Sequence, residues 1–279
     1  MKSLMIQGTS SGAGKTTLVA ALCRIFSDKG YRVAPFKSQN MSNFAYVTPK
    51  FEISRAQAIQ AIGARCNITS DLNPILLKPV GDYNSLVYLN GKRYKKMHAK
   101  DYYEKFVNTQ GIKIALKSLK TLQDNFDLVI LEGAGSPAEI NLQKFDIANM
   151  KIAQKANASV LLVSDIDKGG SFASLVGTMT LIEKKYQKLV KGFVLNKFRG
   201  DIDVLKPGFN KLKKITNVPV LGTIPMMTLN LPEEDSLNAK PKNIIWNKKN
   251  ISKIDNELNR LAETVKSNIN IKTIEKMIQ

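Results

Sequence analysis

Apolar residues come in short blocks along this chain, and the blocks alternate in kind. The opening KSLMIQ is a continuous strand-length run, whereas TLVAALCRIF, a few residues on, carries its apolar positions at helical spacing. YRVAPFK follows as a second strand and ISRAQAIQAIGARC as a helix. LNPILLKPV and SLVYLNG are short extended pieces with a turn between them, and the stretch from KDYYEKF through KSLKTLQD is predicted helical. FDLVILEGAG is a buried strand that ends in an acid and two glycines. ASVLLVSD, KGFVLNKF and VPVLGTIP are further strands, with helices near FASLVGTMTLIEKKY and LKPGFNKLKKI. Strands that alternate with helices pair in parallel, and strands that are apolar throughout lie in a sheet covered on both faces. The predicted fold class is α/β: a doubly wound, mostly parallel sheet with helices on both faces.

The regular pattern stops near LPEEDSL, which sets a domain at residues 1–237. Residues 238–250, NAKPKNIIWNKKN, are rich in lysine and asparagine, contain Trp246, and are predicted to be a linker. Residues 251–279 follow as a helical tail. Ser252 and Asp255 are its expected amino-terminal cap, and Ile254, Leu258, Leu261 and Val265 fall on one side, a stripe expected to pack on the same chain's domain.

Between the first strand and the first helix lies GTSSGAGKTT, Gly8 to Thr17. The usual phosphate-loop spelling, G-x-x-x-x-G-K-[ST], would put its first glycine at Thr9; here the glycine is one place early, at Gly8. The physics survives the shift. Gly12, Ala13 and Gly14 can turn successive backbone N–H groups toward an anion, and the helix start adds about half a positive charge at the same point. Lys15 is placed to reach the terminal phosphates and Thr16 to put its hydroxyl on Mg²⁺, and Thr17 is a further candidate for nucleotide binding. In doubly wound sheets ligands gather at the carboxyl ends of strands. Lys37, Glu132, Asp165 and Asn196 each lie at or just past such an end, and Glu132 is the expected second Mg²⁺ ligand.

Composition adds constraints. The chain has 279 residues and 43% apolar content, enough for one large core. Its run of apolar residues never approaches the roughly 20 of a membrane span, and the first residues enter a strand directly, so a cytoplasmic location with no membrane partner is expected. Cys23 and Cys66 lie in helical, partly apolar contexts and are expected to be buried reduced thiols. With His98 as the single histidine, no metal cluster is spelled. The net charge of +19 invites a nucleic-acid reading, but only 7 of the 42 basic residues are arginine and the lysines are spread along the chain. A solvated lysine-rich surface, or attraction for an acidic substrate, is the better expectation, with no nucleic-acid partner.

A set of longer strings narrows the chemistry. QGTSSGAGKTT, APFKSQNMSN, ISRAQAIQA, NPILLKP, LEGAGSPAEINL, DIANM, SDIDKGGSFASLVGT, KGFVLNKFRGD and LPEEDSL, in that order, resemble the synthetase domain of the cobyric acid synthase family over roughly residues 3–237. More broadly the chain is similar to dethiobiotin synthetase and cobyrinic acid a,c-diamide synthase, which share the shifted loop within the P-loop NTPase fold. The resemblance implies ATP and Mg²⁺ as cofactors and a ligase that activates peripheral carboxylates of an acidic corrin and converts them to amides with ammonia. On that reading Lys15, Lys37, Asp146 and Asp165 are the catalytic candidates. Lys37 would supply charge for an anion, and Asp146 would either position the substrate and take a proton from ammonium or simply cap the helix after it. Asp165, with Asp167 and Lys168, would form a switch-like loop near the γ-phosphate. Asn196 is the expected adenine contact, and Gln39, Asn40, Ser136 and Asn141 are candidates on the substrate side.

Family members continue into a glutaminase domain with a cysteine nucleophile, which neither Cys23, Cys66 nor His98 matches. Ammonia taken free or from a separate glutaminase subunit is therefore expected, and a homodimer is open. Two alternatives stand beside the corrin reading: a partitioning or positioning ATPase of the ParA/MinD kind, against which Ser10 stands where those loops carry a signature lysine, and an amidoligase acting on a different acid.

Overall fold

The computed structural model describes residues 2–233 and 244–279. Its centre is β1 (Lys2–Gly8), buried along nearly its whole length, which leads through the glycine loop into α1 (Lys15–Asp28). The chain then lays down β2 (Val33–Phe36), β3 (Gln39–Met41), β4 (Ala45–Val47) and β5 (Glu52–Ser54), and enters α2 (Arg55–Ala64). Three further strands follow, β6 (Ile75–Pro79), β7 (Asn84–Leu89) and β8 (Lys92–His98). One turn of helix, α3 (Ala99–Asp101), passes through wider π-type turns at Tyr102–Gly111 into α4 (Ile112–Asn125). The rest alternates: β9 (Leu128–Glu132), α5 (Met150–Lys155), β10 (Ser159–Asp165), α6 (Ser171–Leu181), α7 (Lys184–Gln187), β11 (Val190–Phe198), α8 (Ile202–Thr216) and β12 (Val220–Pro225). The tail forms α9 (Lys248–Asn268) and α10 (Ile271–Met277).

Six strands make one sheet in the order β12-β11-β10-β1-β9-β2, every neighbouring pair parallel. The expected doubly wound architecture is therefore present. Successive residues of β1 point to opposite faces, and the core divides accordingly. Leu4 and Ile6 join α1, α9 and α10 in one apolar cluster, while Met5 joins α4, α5, α6 and α8 in the other. Each such side chain, fully removed from water, contributes about 1.5–3 kcal/mol. Because β1 sits between β9 and β10, the loop that leaves it opens where the chain connections diverge to either side, with the ends of both neighbours beside it.

Some elements depart from the pattern. A second, four-stranded sheet, β3-β6-β7-β8, flanks the first. LNPILLKPV and SLVYLNG were legible as extended pieces, but β8, KRYKKMH, was not, because six of its seven residues are exposed and it lacks an alternating apolar face. The helix expected to run through FASLVGTMTLIEKKY is broken after Leu181. Of the expected linker, residues 238–243 lie outside the described residues. The tail helix starts at Lys248, earlier than the expected 251, and its cap is Asn247, whose side chain accepts the Asn250 N–H, so Ser252 and Asp255 are not the cap. Asp255 instead pairs with the fully buried Arg24 of α1. The stripe Ile254, Leu258, Leu261 and Val265 is buried against the same chain's first cluster, as expected. Among the described residues no helix is long and apolar enough to cross a membrane.

Candidate functional site

The glycine loop is built so that small residues stand where the backbone is close or turned. Gly12 and Gly14 have φ of 74° and 98°, left-handed values that disfavour a side chain. A Cβ on Gly14 would stand 1.9 Å from the Asn196 side-chain nitrogen. The displaced glycine has its own reason: a Cβ on Gly8 would come within 3.0 Å of both Lys15 Nζ and the Ser10 carbonyl oxygen. Thr17 Oγ1 closes the turn by donating to the Gly14 carbonyl at 3.0 Å. Lys15 folds back over the loop and donates to the carbonyls of Ser10 and Gly135, each at 2.9 Å.

Glu132, at the end of β9, faces this loop and is almost completely buried. Its Oε1 accepts from Thr16 Oγ1 at 2.9 Å and from Lys37 Nζ at 2.7 Å. Its Oε2 accepts from Gln60 Nε2 at 2.5 Å and Gln57 Nε2 at 3.4 Å. Burial alone would push this carboxyl upward; the charge and hydrogen bond of Lys37, the bond from Gln60 and the charge of Lys15 outweigh it and hold it below the ordinary value. It is thus a carboxylate held ionised in a dry place. A hydroxyl and a carboxylate oxygen in contact at the mouth of a phosphate loop are a hard oxygen donor pair of the type Mg²⁺ takes alongside phosphates and water.

A cleft of about 720 Å³ opens over the loop, and it collects most of the residues singled out from the sequence: Gly12, Gly14, Lys15, Thr16, Thr17, Lys37, Gln39, Asn40, Glu132 and Asn196. Ala13 is buried beneath it. Gln39 takes a hydrogen bond from the Tyr102 hydroxyl at 2.7 Å, and Asn40 donates to Ser54 Oγ at 2.6 Å, so both amides are held in place. The far wall is apolar, with Met226, Met227 and Leu231 after β12 and Leu261 and Val265 from α9.

Four expected residues lie elsewhere. Asp146 lines a separate cavity of about 210 Å³ and spends its carboxylate on the N–H groups of Ala148, Asn149 and Lys151, which is the helix-start role. Asn141 is exposed on a turn, and the buried Ser136 accepts the Ala138 N–H; neither lines the cleft. Asp165 sits one layer behind the loop, paired to Lys197 at 2.8 Å, and its Oδ1 accepts the Asp167 N–H. Asn196 is at the loop, but its amide donates to the Ala13 carbonyl at 3.0 Å.

The sequence reading assigned no role to Gln57, Gln60, Tyr102, Lys197 or the cleft-lining face of α9. For the two glutamines there was a signal: two amides three residues apart on a helix whose residues from Ala56 to Ile62 are otherwise alanine and isoleucine. Polar groups placed among apolar neighbours on one turn are buried only when something binds them.

Comparison with known proteins identifies a family. The model of the CobQ/CobB/MinD/ParA nucleotide binding domain matches residues 4–239. A probable cobyric acid synthase of Thermococcus kodakarensis is 53% identical over 242 residues, covering 86% of this chain and 50% of that protein. One of Methanosphaera stadtmanae is 51% identical over 251 residues, 89% of this chain and 50% of that protein. The chain thus spans about half the length of these curated relatives. Among solved structures, the signal recognition particle receptor FtsY of Elizabethkingia anophelis with GDP covers 92% of this chain and 63% of its own at 16% identity and a TM-score of 0.47. The cell division protein MinD of Aquifex aeolicus covers 81% and 83% at 16% identity and 0.44.

Proposed function

The chain belongs to the CobQ/CobB/MinD/ParA nucleotide-binding family, and from that premise we propose that it carries out the ATP-dependent amidation of peripheral carboxylates of a corrin, converting cobyrinic acid a,c-diamide toward cobyric acid. The observation that carries the reading is the Thr16–Glu132–Lys37 contact at the loop mouth, where a hydroxyl and a cation each donate to the same oxygen of a buried carboxylate. The half-identical relatives named probable cobyric acid synthases favour amidation over the partitioning ATPase. An amidoligase for a different acid would use the same residues, and the substrate in the test below separates the two.

A carboxylate at neutral pH resists amines because its leaving group would be an oxide. On this proposal a substrate carboxylate oxygen attacks the γ-phosphorus of ATP, the bond to the β–γ bridging oxygen breaks, and ADP leaves. Ammonia then attacks the acyl phosphate carbonyl, phosphate leaves with the C–O electron pair, and the nitrogen loses a proton. Such transfers need alignment and charge neutralisation more than covalent help from the protein. Thr16 and Glu132 would hold Mg²⁺, which supplies part of that neutralisation. Lys15 would turn from its two carbonyl partners to the phosphates, and Lys37 would meet the incoming carboxylate beside Glu132. Gln39 and Asn40, fixed by Tyr102 and Ser54, would orient the amide edges of the corrin. Ammonia would come free or from a glutaminase site outside this cleft.

The test is ADP release by the purified chain with cobyrinic acid a,c-diamide, supplied with ammonium or with glutamine. Turnover with ammonium is the expected result. ADP release indifferent to the corrin, or stimulated by DNA instead, would overturn the proposal.

A further inference from the structure

Two consecutive residues of β11 reach across to two consecutive carbonyls of the glycine loop. Asn196 Nδ2 donates to the Ala13 carbonyl at 3.0 Å, and Lys197 Nζ donates to the Gly12 carbonyl at 2.8 Å. Lys197 is held from its other side by Asp165 at the end of β10, also at 2.8 Å. The backbone is shaped for this reach. Lys197 has φ of 62°, in the left-handed region that lysine seldom adopts, and the register of β11 against β12 slips between Leu195 and Phe198. A strained backbone at a non-glycine residue persists only where its surroundings impose it, and such strain gathers at functional sites.

The consequence follows from peptide geometry. Among the described residues every peptide bond is trans, and in a trans peptide the C=O and N–H point in opposite directions. Fixing the Gly12 carbonyl toward β11 turns the Ala13 N–H away from β11. Fixing the Ala13 carbonyl does the same for the Gly14 N–H. Two successive amides turned to the same side are the elements of an anion-binding nest. We infer that Lys197 is a positioning residue for the nucleotide site: with Asn196 it locks the loop's amides in the phosphate-binding orientation before any ligand arrives, and Asp165 serves as its anchor, not as a group at the γ-phosphate. This rests on the reading that the loop binds a nucleotide.

The test uses the intact chain, its Lys197→Met and Lys197→Arg variants, and a fluorescent ATP analogue with Mg²⁺. Lys197→Met keeps the length and apolar stem but cannot donate to a carbonyl, so the dissociation constant is expected to rise about tenfold or more. Lys197→Arg, which retains a charged donor, should recover most of that loss. Hydrogen exchange of the Ala13 and Gly14 amides, read without nucleotide, should quicken in the methionine variant alone and by more than its fall in thermal midpoint, which losing the Asp165 partner lowers, accounts for. In turnover, KM for ATP should rise by more than KM for the corrin, which loses one cleft charge. An unaltered dissociation constant in Lys197→Met would overturn the inference, and so would equal losses in both variants that follow the thermal midpoint. Failure of the unaltered chain to bind nucleotide would overturn the nucleotide reading itself, and it is told apart because it precedes any substitution.

Discussion

Glu132 concentrates the electrostatics of the cleft on one buried carboxylate. It satisfies four donors, and one of them, Lys37, is itself buried, so the pair must be kept or lost together. Removing one member of a buried pair leaves an uncompensated charge at a cost of about 3–5 kcal/mol. Glu132→Gln should therefore lose turnover by about a hundredfold or more, and also lose stability in urea unfolding. The double variant Glu132→Gln with Lys37→Met should regain much of the stability and none of the turnover. The pH sign follows from the lowered pKa of Glu132. Its contribution is complete above the unfolded carboxyl value of about 4.3 and is lost as pH falls through the lower folded value. Urea midpoints measured from pH 7 down to 3 should fall less steeply in Glu132→Gln than in the unaltered chain. The cysteines give a simpler readout. Burial pushes Cys66 up to about 12 and raises Cys23 well above its usual value, so thiolate is scarce in both. Cys23 is buried but Cys66, contrary to expectation, is only half-buried, so a disulfide reagent at pH 8 should label Cys66 slowly and Cys23 only after denaturation; fast native labelling of Cys23 would contradict its placement.

Elements explain which parts of the site were readable beforehand. Strands β1, β9 and β10 are apolar runs that end in Gly8, Glu132 and Asp165, and β11 carries Asn196 two residues before its end; a run of that kind marks both the buried sheet and the residues at its carboxyl end. The parallel sheet and the loop were legible for that reason. What side chains do after the strand ends was not. Asp146 was equally a cap or a substrate group by pattern, and its carboxylate accepts three backbone N–H groups at the start of α5. Asp165 ends a strand beside the loop, and its carboxylate pairs with Lys197 from the next strand over. Strand β8 was unreadable because it lacks an apolar face, and the π-type register of the segment predicted helical was unreadable because its cleft contact is distant in sequence: Tyr102 meets Gln39 across 63 residues. Segments of π-type turn occur often at functional sites, and here one places the Tyr102 hydroxyl on a cleft amide. Tyr102→Phe frees the Gln39 side chain and should raise KM for the corrin several-fold, by about 1 kcal/mol, with KM for ATP unchanged. The tail helix can be tested on its own terms. Leu258 is fully buried in the cluster that includes α1, so Leu258→Ala should cost about 2–5 kcal/mol in urea unfolding; a negligible loss would mean that α9 does not pack there in solution.

For the whole molecule, the question is what a net charge of +19 does. Little of it is available at the cleft. Among the described residues that line the cleft, Lys15, Lys37 and Lys197 stand with Glu132 and Glu233, so three cations less two carboxylates leave one net positive charge there. The remaining lysines are spread over the surface, and beyond about 8 Å at physiological salt their fields are screened. A chain that bound a nucleic-acid backbone through many lysines would lose affinity by about 10³–10⁵ between 50 and 200 mM salt, because each neutralised phosphate releases a counterion. Capture of an acidic corrin at a cleft with one net charge requires far less. The plot of log kcat/KM for the corrin against log salt should accordingly have a slope of about −1 or shallower, measured with ammonium held constant and in excess. A slope several times steeper would mean that the dispersed lysines, and not the three at the loop, govern substrate capture, and it would return the whole basic surface to consideration as a binding face.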